Sequence, residues 1–155
     1  MDVAGSFIVP ADRSRVWTLI TDPAVMARCI PGCQGIEVLS PTSYKASVRV
    51  SLGVLKMTFN VVVDVVEQAY PAFIVSTTKG EEGSRASIIM ARNRLDLDVV
   101  DDATTQVHYA STVNLTGRLG KFGLGMMRKK ADSTAAEFVA TFTALSASPL
   151  EIGSA

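Results

Sequence analysis

Two cysteines, Cys29 and Cys33, stand four apart in the stretch ARCIPGCQG and are the only thiols of the chain. Close thiols suit a metal or a redox pair. A structural zinc takes four ligands, usually from two Cys/His pairs, and the chain adds one histidine, His108, so the second pair is missing. A thioredoxin-type pair has two intervening residues and precedes a helix whose N-terminus lowers the thiol pKa. Here three residues intervene, and the segment before them reads as a helix C-terminus, with the opposite dipole sign. The expectation is a helix-ending Pro-Gly turn with small packed thiols. No metal site and no catalytic residue is assigned.

The remaining chemistry-bearing residues read as follows. His108 falls in the outward phase of its strand, where a general base has no pocket to work in. Asp96/Asp98 lie on the wet face of a strand, and Asp101/Asp102 and Glu81/Glu82 in turns, so solvated charge is expected rather than a facing carboxyl pair. Neither a Gly-X-Ser-X-Gly elbow nor HExxH occurs. The glycines of TGRLGKFGLG match no nucleotide loop; a phosphate site at the following helix is conceivable, and a turn with close packing is the plainer reading. The run RLGKFGLGMMRKK carries Arg118, Lys121, Arg128, Lys129 and Lys130 with no acid, interleaved with Phe122, Leu124, Met126 and Met127. Positive charge at a helix N-terminus opposes the dipole. This surface is therefore a candidate for an anionic membrane or an acidic partner, the alternative being a solvated helix face.

The elements that must position these residues follow from periodicity. Residues 3–9 read as a strand. PADRSRVWTLI and DPAVMARCI read as two short helices, with Asp22 as N-cap and Pro23 at the first helical position. From residue 34 to 117 the period is two: 43–52, 55–65, FIVSTTKG, 87–99 and TTQVHYASTVNLTG alternate apolar and polar, separated by turn signals. Short gaps imply a meander of antiparallel hairpins. Leu124, Met127, Ala131, Thr134, Ala135, Phe138, Phe142 and Leu145 then follow helical spacing over roughly 121–147, with a frayed tail from 148 to 155. One sheet with one dry face needs a cover. The architecture expected is α+β: a curved antiparallel sheet of about seven strands gripping the long terminal helix, in a single domain over residues 1–147.

The dry phase mixes large and small side chains: Met57, Phe59, Val61, Ile89, Ala91, Tyr109, Ser111 and Val113, with Ile20 and Ile30 at the closed end and Leu124, Met127, Ala131 and Ala135 opposite. Small residues facing small residues leave room for a ligand, and Asn93, Ser111 and the Tyr109 hydroxyl are the polar atoms available to orient it. A filled core with those groups satisfied internally is the alternative.

Length and charge bound the rest. The chain has 155 residues, 48% of them hydrophobic, with fifteen basic residues balancing fifteen acidic ones. That composition supports a core and gives no global case for nucleic acid. No apolar run reaches the ~18 residues of a membrane span. The N-terminus lacks a signal peptide's basic start and apolar stretch, so a cytoplasmic location with reduced thiols is expected.

Val16-Trp17, Asp22-Pro23, Ile30-Pro31-Gly32-Cys33, the Gly80…Gly83 turn, Tyr109 and the glycines from Gly117 to Gly123 together resemble the CoxG family of carbon monoxide dehydrogenase subunits, over about residues 2–146. The family is part of the START-like (SRPBCC) superfamily of lipid-binding domains and polyketide cyclases. The resemblance implies a helix-grip fold and an accessory role beside a molybdenum-containing dehydrogenase of the carbon monoxide dehydrogenase type, in membrane recruitment or in handling its quinone acceptor. It carries over no catalytic residue. Longer members have a C-terminal extension that anchors to membrane; a chain ending at Ala155 is expected at most to touch the inner face of the cytoplasmic membrane peripherally. Gly120 and Gly125 suit a mobile pocket entrance.

Three readings stand. The first is a non-catalytic module that holds a quinone, isoprenoid or lipid, with no covalent cofactor. The second is a cyclase or hydrolase working in the same pocket, for which the dry phase offers Tyr109, a weak acid with a usual pKa of about 10. The third is a docking-only accessory with a filled core.

Overall fold

The computed structural model describes residues 1–83, 87–117 and 123–147, the side chain of Leu124 excepted. The element order is β1 (Asp2–Val9), α1 (Arg13–Ile20), α2 (Pro23–Cys29), β2 (Cys33–Ser40), β3 (Ser43–Leu52), β4 (Leu55–Ala69), β5 (Phe73–Glu82), β6 (Ser87–Asp101), β7 (Thr104–Gly117) and α3 (Leu124–Ser146). The strands form one antiparallel sheet in the order β1-β7-β6-β5-β4-β3-β2. Element order and sheet agree with the periodicity. Several boundaries differ: β5 runs two residues past the expected strand to Glu82, β6 two residues past residue 99 to Asp101, and α1 starts at Arg13. β4 continues to Ala69 past a bulge between Val65 and Glu67, which breaks the alternation and leaves Val66 52% exposed. Helix α3 runs Leu124–Ser146; the expected first turn at 121–122 and the tail from 148 lie outside the described residues.

Local chemistry explains the two short helices. Asp12 caps α1 by accepting from the Arg15 N–H at 3.2 Å, and Asp22 caps α2 by accepting from the Ala24 N–H at 2.9 Å, with Pro23 following. Each cap satisfies an otherwise orphaned helix donor. Ile30 ends α2, and Gly32 turns the chain into β2 with φ +80°. Its carbonyl accepts from the Arg49 N–H at 2.8 Å, and a Cβ at Gly32 would press on the Arg49 carbonyl oxygen. The Pro-Gly stop thus clamps the helical end onto β3.

The inner face of the sheet follows from register. Reading from the open end, one row joins Phe59, Glu82, Ser87 and Gly117. The next joins Val61, Gly80, Ile89 and Leu115, and the next Val63, Thr78, Ala91 and Val113. Then come Val65, Ser76, Asn93, Ser111 and Val3, followed by Ile74, Leu95, Tyr109 and Gly5. Successive rows stand two residues apart, about 6.8 Å.

Two separate apolar clusters cover this face. At the closed end, Phe142 and Leu145 of α3 pack with Val16, Leu19 and Ile20 of α1, Val25, Met26 and Cys29 of α2, and Val9, Leu97 and Val107 of the sheet. At the open end, Met127 packs against Leu52, Met57 and Phe59, with Val61, Ile89 and Leu115 beside them. Helix α3 runs closest to β1, α1 and α2.

Gly32→Ala is expected to destabilise the protein by about 1–3 kcal/mol, since φ is positive and the Cβ has no room. Gly35→Ala, where nothing lies within 4 Å of an added Cβ, is expected to stay within about 0.5 kcal/mol. Urea midpoints at unchanged m-value measure both; equal costs contradict the clamp.

Candidate functional site

The space between the two clusters is the candidate site. On α3 the face that carries Met127 at one end and Phe138 and Phe142 at the other presents Ala131, Thr134 and Ala135 between them. The eleven-residue step from Met127 to Phe138 spans about 16 Å. Opposite, Val61, Val63, Thr78, Ile89, Ala91, Asn93, Ser111 and Val113 all remain half-buried although they face inward. Residues directly under a packed helix would be fully covered, as Leu97 and Val107 are at 0–2% exposure. Gly80 keeps one point of the sheet close-packed: a Cβ there would lie 2.6 Å from Val61 Cγ1 and 2.7 Å from Ile89 Cγ2.

A polar band crosses this space. The Asn93 side-chain amide donates to Thr78 Oγ1 at 3.1 Å and to Ser76 Oγ at 3.4 Å, and Ser111 Oγ donates to Asn93 Oδ1 at 2.8 Å. This accounts for the polar residues that interrupt the dry phase of β6 and β7. It also brings in Ser76 and Thr78, which sequence reasoning missed because β5 carries polar residues in both phases.

The expected site residues separate into groups. Ile20 is buried in the closed-end cluster and Ile30 packs against it. Met57 and Phe59 are buried in the open-end cluster, with Val61, Ile89 and Met127 packed on them. Ala91, Asn93, Ser111 and Val113 are half-buried on the inner face, and Ala131 and Ala135 are half-buried on α3. Tyr109 shares the inner phase, but its ring lies along the sheet over Gly5, where an added Cβ would meet Cζ at 2.6 Å, and beside Phe7 with ring centroids 6.2 Å apart. Its hydroxyl is therefore turned toward β1. Glu82 departs from expectation: it closes β5, belongs to the inner row of Phe59 and is only 8% exposed. The sequence offered a turn there because Glu81 and Glu82 adjoin Gly83.

The expected docking residues are partly redefined. Arg118, Lys121 and Phe122 lie outside the described residues, as does the side chain of Leu124. Arg128 donates to the Asp2 backbone carbonyl and so ties α3 to β1. Lys129 and Met126 are exposed and Lys130 is half-buried.

Two charged pairs lie at exposed positions of the sheet. His108 Nε2 lies 2.9 Å from Asp98. Arg94 makes a two-pronged contact with Asp96 and stacks over Phe73 at 4.4 Å, and the guanidinium is held above its ordinary pKa chiefly by the hydrogen bond to Asp96. Two open grooves also mark the sheet, one of about 560 Å³ along Lys45, Val62, Lys79 and Glu82 and one of about 330 Å³ along Ala4, Arg92, Asn93 and Ser111. Cys29 is buried, and burial pushes its thiol above the ordinary value against the opposing pull of Arg28. Cys33 donates weakly to the Gly35 carbonyl at 3.6 Å.

A curved antiparallel sheet, a long terminal helix laid across its inner face and two short helices closing one end define a START-like helix-grip protein. A conserved protein from Geobacillus kaustophilus superposes with TM-score 0.87 at 22% identity, covering 95% of both chains. A START superfamily protein from Mycobacterium smegmatis gives 0.73 at 13% identity over 92% of this chain and 94% of that one. The Zhui aromatase/cyclase from a Streptomyces species gives 0.71 at 14% over 94% and 93%. At these identities the likeness is one of fold. The chain belongs to the CoxG family, described as a subunit of carbon monoxide dehydrogenase, whose sequence profile matches residues 5–145. No curated protein matches it.

At neutral pH iodoacetamide is expected to modify Cys33 and to spare Cys29 until the protein unfolds, because a buried thiol with a raised pKa supplies little thiolate. Peptide mass mapping before and after urea reads this; early modification of Cys29 contradicts the packed-thiol assignment.

Proposed function

We propose that this chain is a non-catalytic binding protein. It holds a hydrophobic ligand (a quinone, isoprenoid or other lipid) between α3 and the inner face of the sheet, as an accessory to a molybdenum hydroxylase of the carbon monoxide dehydrogenase type. One observation carries the reading: two apolar clusters stand apart, with half-buried inner residues facing the small Ala131, Thr134 and Ala135 between them. Burial of apolar ligand surface contributes about 25 cal/mol per Å², so roughly 300 Å² offers about 7.5 kcal/mol before association costs. Membership of a family described as a dehydrogenase subunit supports the accessory role and its partner.

An enzyme in the same pocket has one observation in its favour, the inward carboxyl of Glu82. Its row otherwise holds Phe59, Ser87 and Gly117. Contact with the dehydrogenase or with a membrane surface is assigned to Met126, Lys129 and Lys130. Among the described residues no helix is long and apolar enough to cross a membrane.

Ala135→Phe discriminates an open interior from a filled one. With space present, the added ring is expected to leave stability unchanged or raise it by up to about 1 kcal/mol, and to lower affinity for decylubiquinone at least tenfold. In a filled core the same change costs about 1–3 kcal/mol. Lys129→Glu with Lys130→Glu is expected to weaken dehydrogenase capture and leave decylubiquinone binding unchanged; unchanged capture contradicts the docking assignment.

A further inference from the structure

The polar band at the middle of the inner face has donor capacity left over. Ser76 Oγ and Thr78 Oγ1 each accept from the Asn93 amide. A hydroxyl that accepts still owns a proton to donate, and among the described residues neither proton meets an acceptor. Asn93 is locked in this orientation by Ser111, which donates to its Oδ1. These groups are half-buried, so the two hydroxyls reach the space under α3.

Position decides the ligand chemistry. Toward the open end the row of Val61, Ile89 and Leu115 is apolar, and toward the closed end the row of Ile74 and Leu95 is apolar as far as Tyr109, whose hydroxyl lies over Gly5. Each lies about 7 Å from the neighbouring polar row. No Lys or Arg among the described residues shares the two polar rows, and the Met1 ammonium donates to the Val113 carbonyl at 2.8 Å, three strands from Ser76 and Thr78, so a carboxylate or phosphate at the two hydroxyls would be buried without an adjacent counter-charge, at high cost. A neutral acceptor matches two hydroxyl donors.

We infer that the bound molecule carries a neutral acceptor oxygen of the carbonyl class between two apolar segments, and that Ser76 and Thr78 donate to it. Asn93 is a positioning residue that aims the two hydroxyls. The inference rests on the ligand-binding reading above and narrows it: a hydrocarbon forgoes the hydrogen bonds, and a fatty acid places its oxygens at the chain end.

Two isomeric ketones test it by displacement of N-phenylnaphthylamine from the full chain: di-n-hexyl ketone, with its carbonyl at mid-chain, and methyl undecyl ketone, with its carbonyl at the end. The mid-chain isomer is expected to bind about three- to tenfold more tightly, the worth of one net hydrogen bond. The Thr78→Val/Ser76→Ala double variant, which keeps side-chain shape, is expected to lose that difference while still binding the fluorescent probe. Asn93→Leu, checked for folding by its urea midpoint, is expected to lose it as well. Equal affinity of the two isomers for the wild type, or a preference that survives the double variant, overturns the inference and leaves the cavity standing. Failure of the probe and both ketones to bind overturns the cavity itself.

Discussion

A sheet with one dry face must have that face covered, and the cover available here is narrower than the sheet. Seven strands at about 4.8 Å spacing are about 30 Å across, whereas a helix with its side chains is about 10 Å wide. Curvature and the short helices α1 and α2 close one end, where Phe142, Leu19 and Val16 are fully buried. At the other end the β3–β4 hairpin folds over Met127. Between these anchors α3 presents alanine and threonine, and it leans toward β1. The half-buried state of the inner residues between these anchors is a consequence of that mismatch.

The same constraint explains the polar band. A tightly packed interior would leave Asn93 costly, since each amide group needs its own partner. Here Ser76, Thr78 and Ser111 satisfy it across three strands. The band therefore sits in a half-buried environment without destabilising the sheet. Closing the interior over it would remove whatever contacts its hydroxyls can still make. The chain's family is described as a carbon monoxide dehydrogenase subunit.

Much of this was legible in the sequence because period and caps are local signals. The alternation of Leu55 to Val65, the Asp22-Pro23 start of α2 and the Pro-Gly stop after Ile30 each have one physical reading, and the fold follows from them. Phase also placed Asn93 and Ser111 on the inner face. What escaped was non-local. Thr78 and Ser76 are polar residues in a strand that is polar on both sides, and only the β5–β6 register shows which of them meet Asn93. The bulge at Val65/Glu67 shifts the phase with no sequence mark. The direction of the Tyr109 ring depends on Gly5, more than a hundred residues away in the chain. Arg128, grouped by composition with Lys129 and Lys130, is set apart by a backbone carbonyl that composition does not reveal.

A crystal structure of the protein soaked with decylubiquinone tests the central claim most directly. The account predicts electron density for the ligand between the helix face of Ala131 and Ala135 and the sheet residues Val61, Ile89 and Asn93, with both apolar clusters unmoved. Density confined to the outer surface, with Val61, Ile89 and Asn93 packed directly against Ala131 and Ala135 in a dry, filled interior, would contradict it.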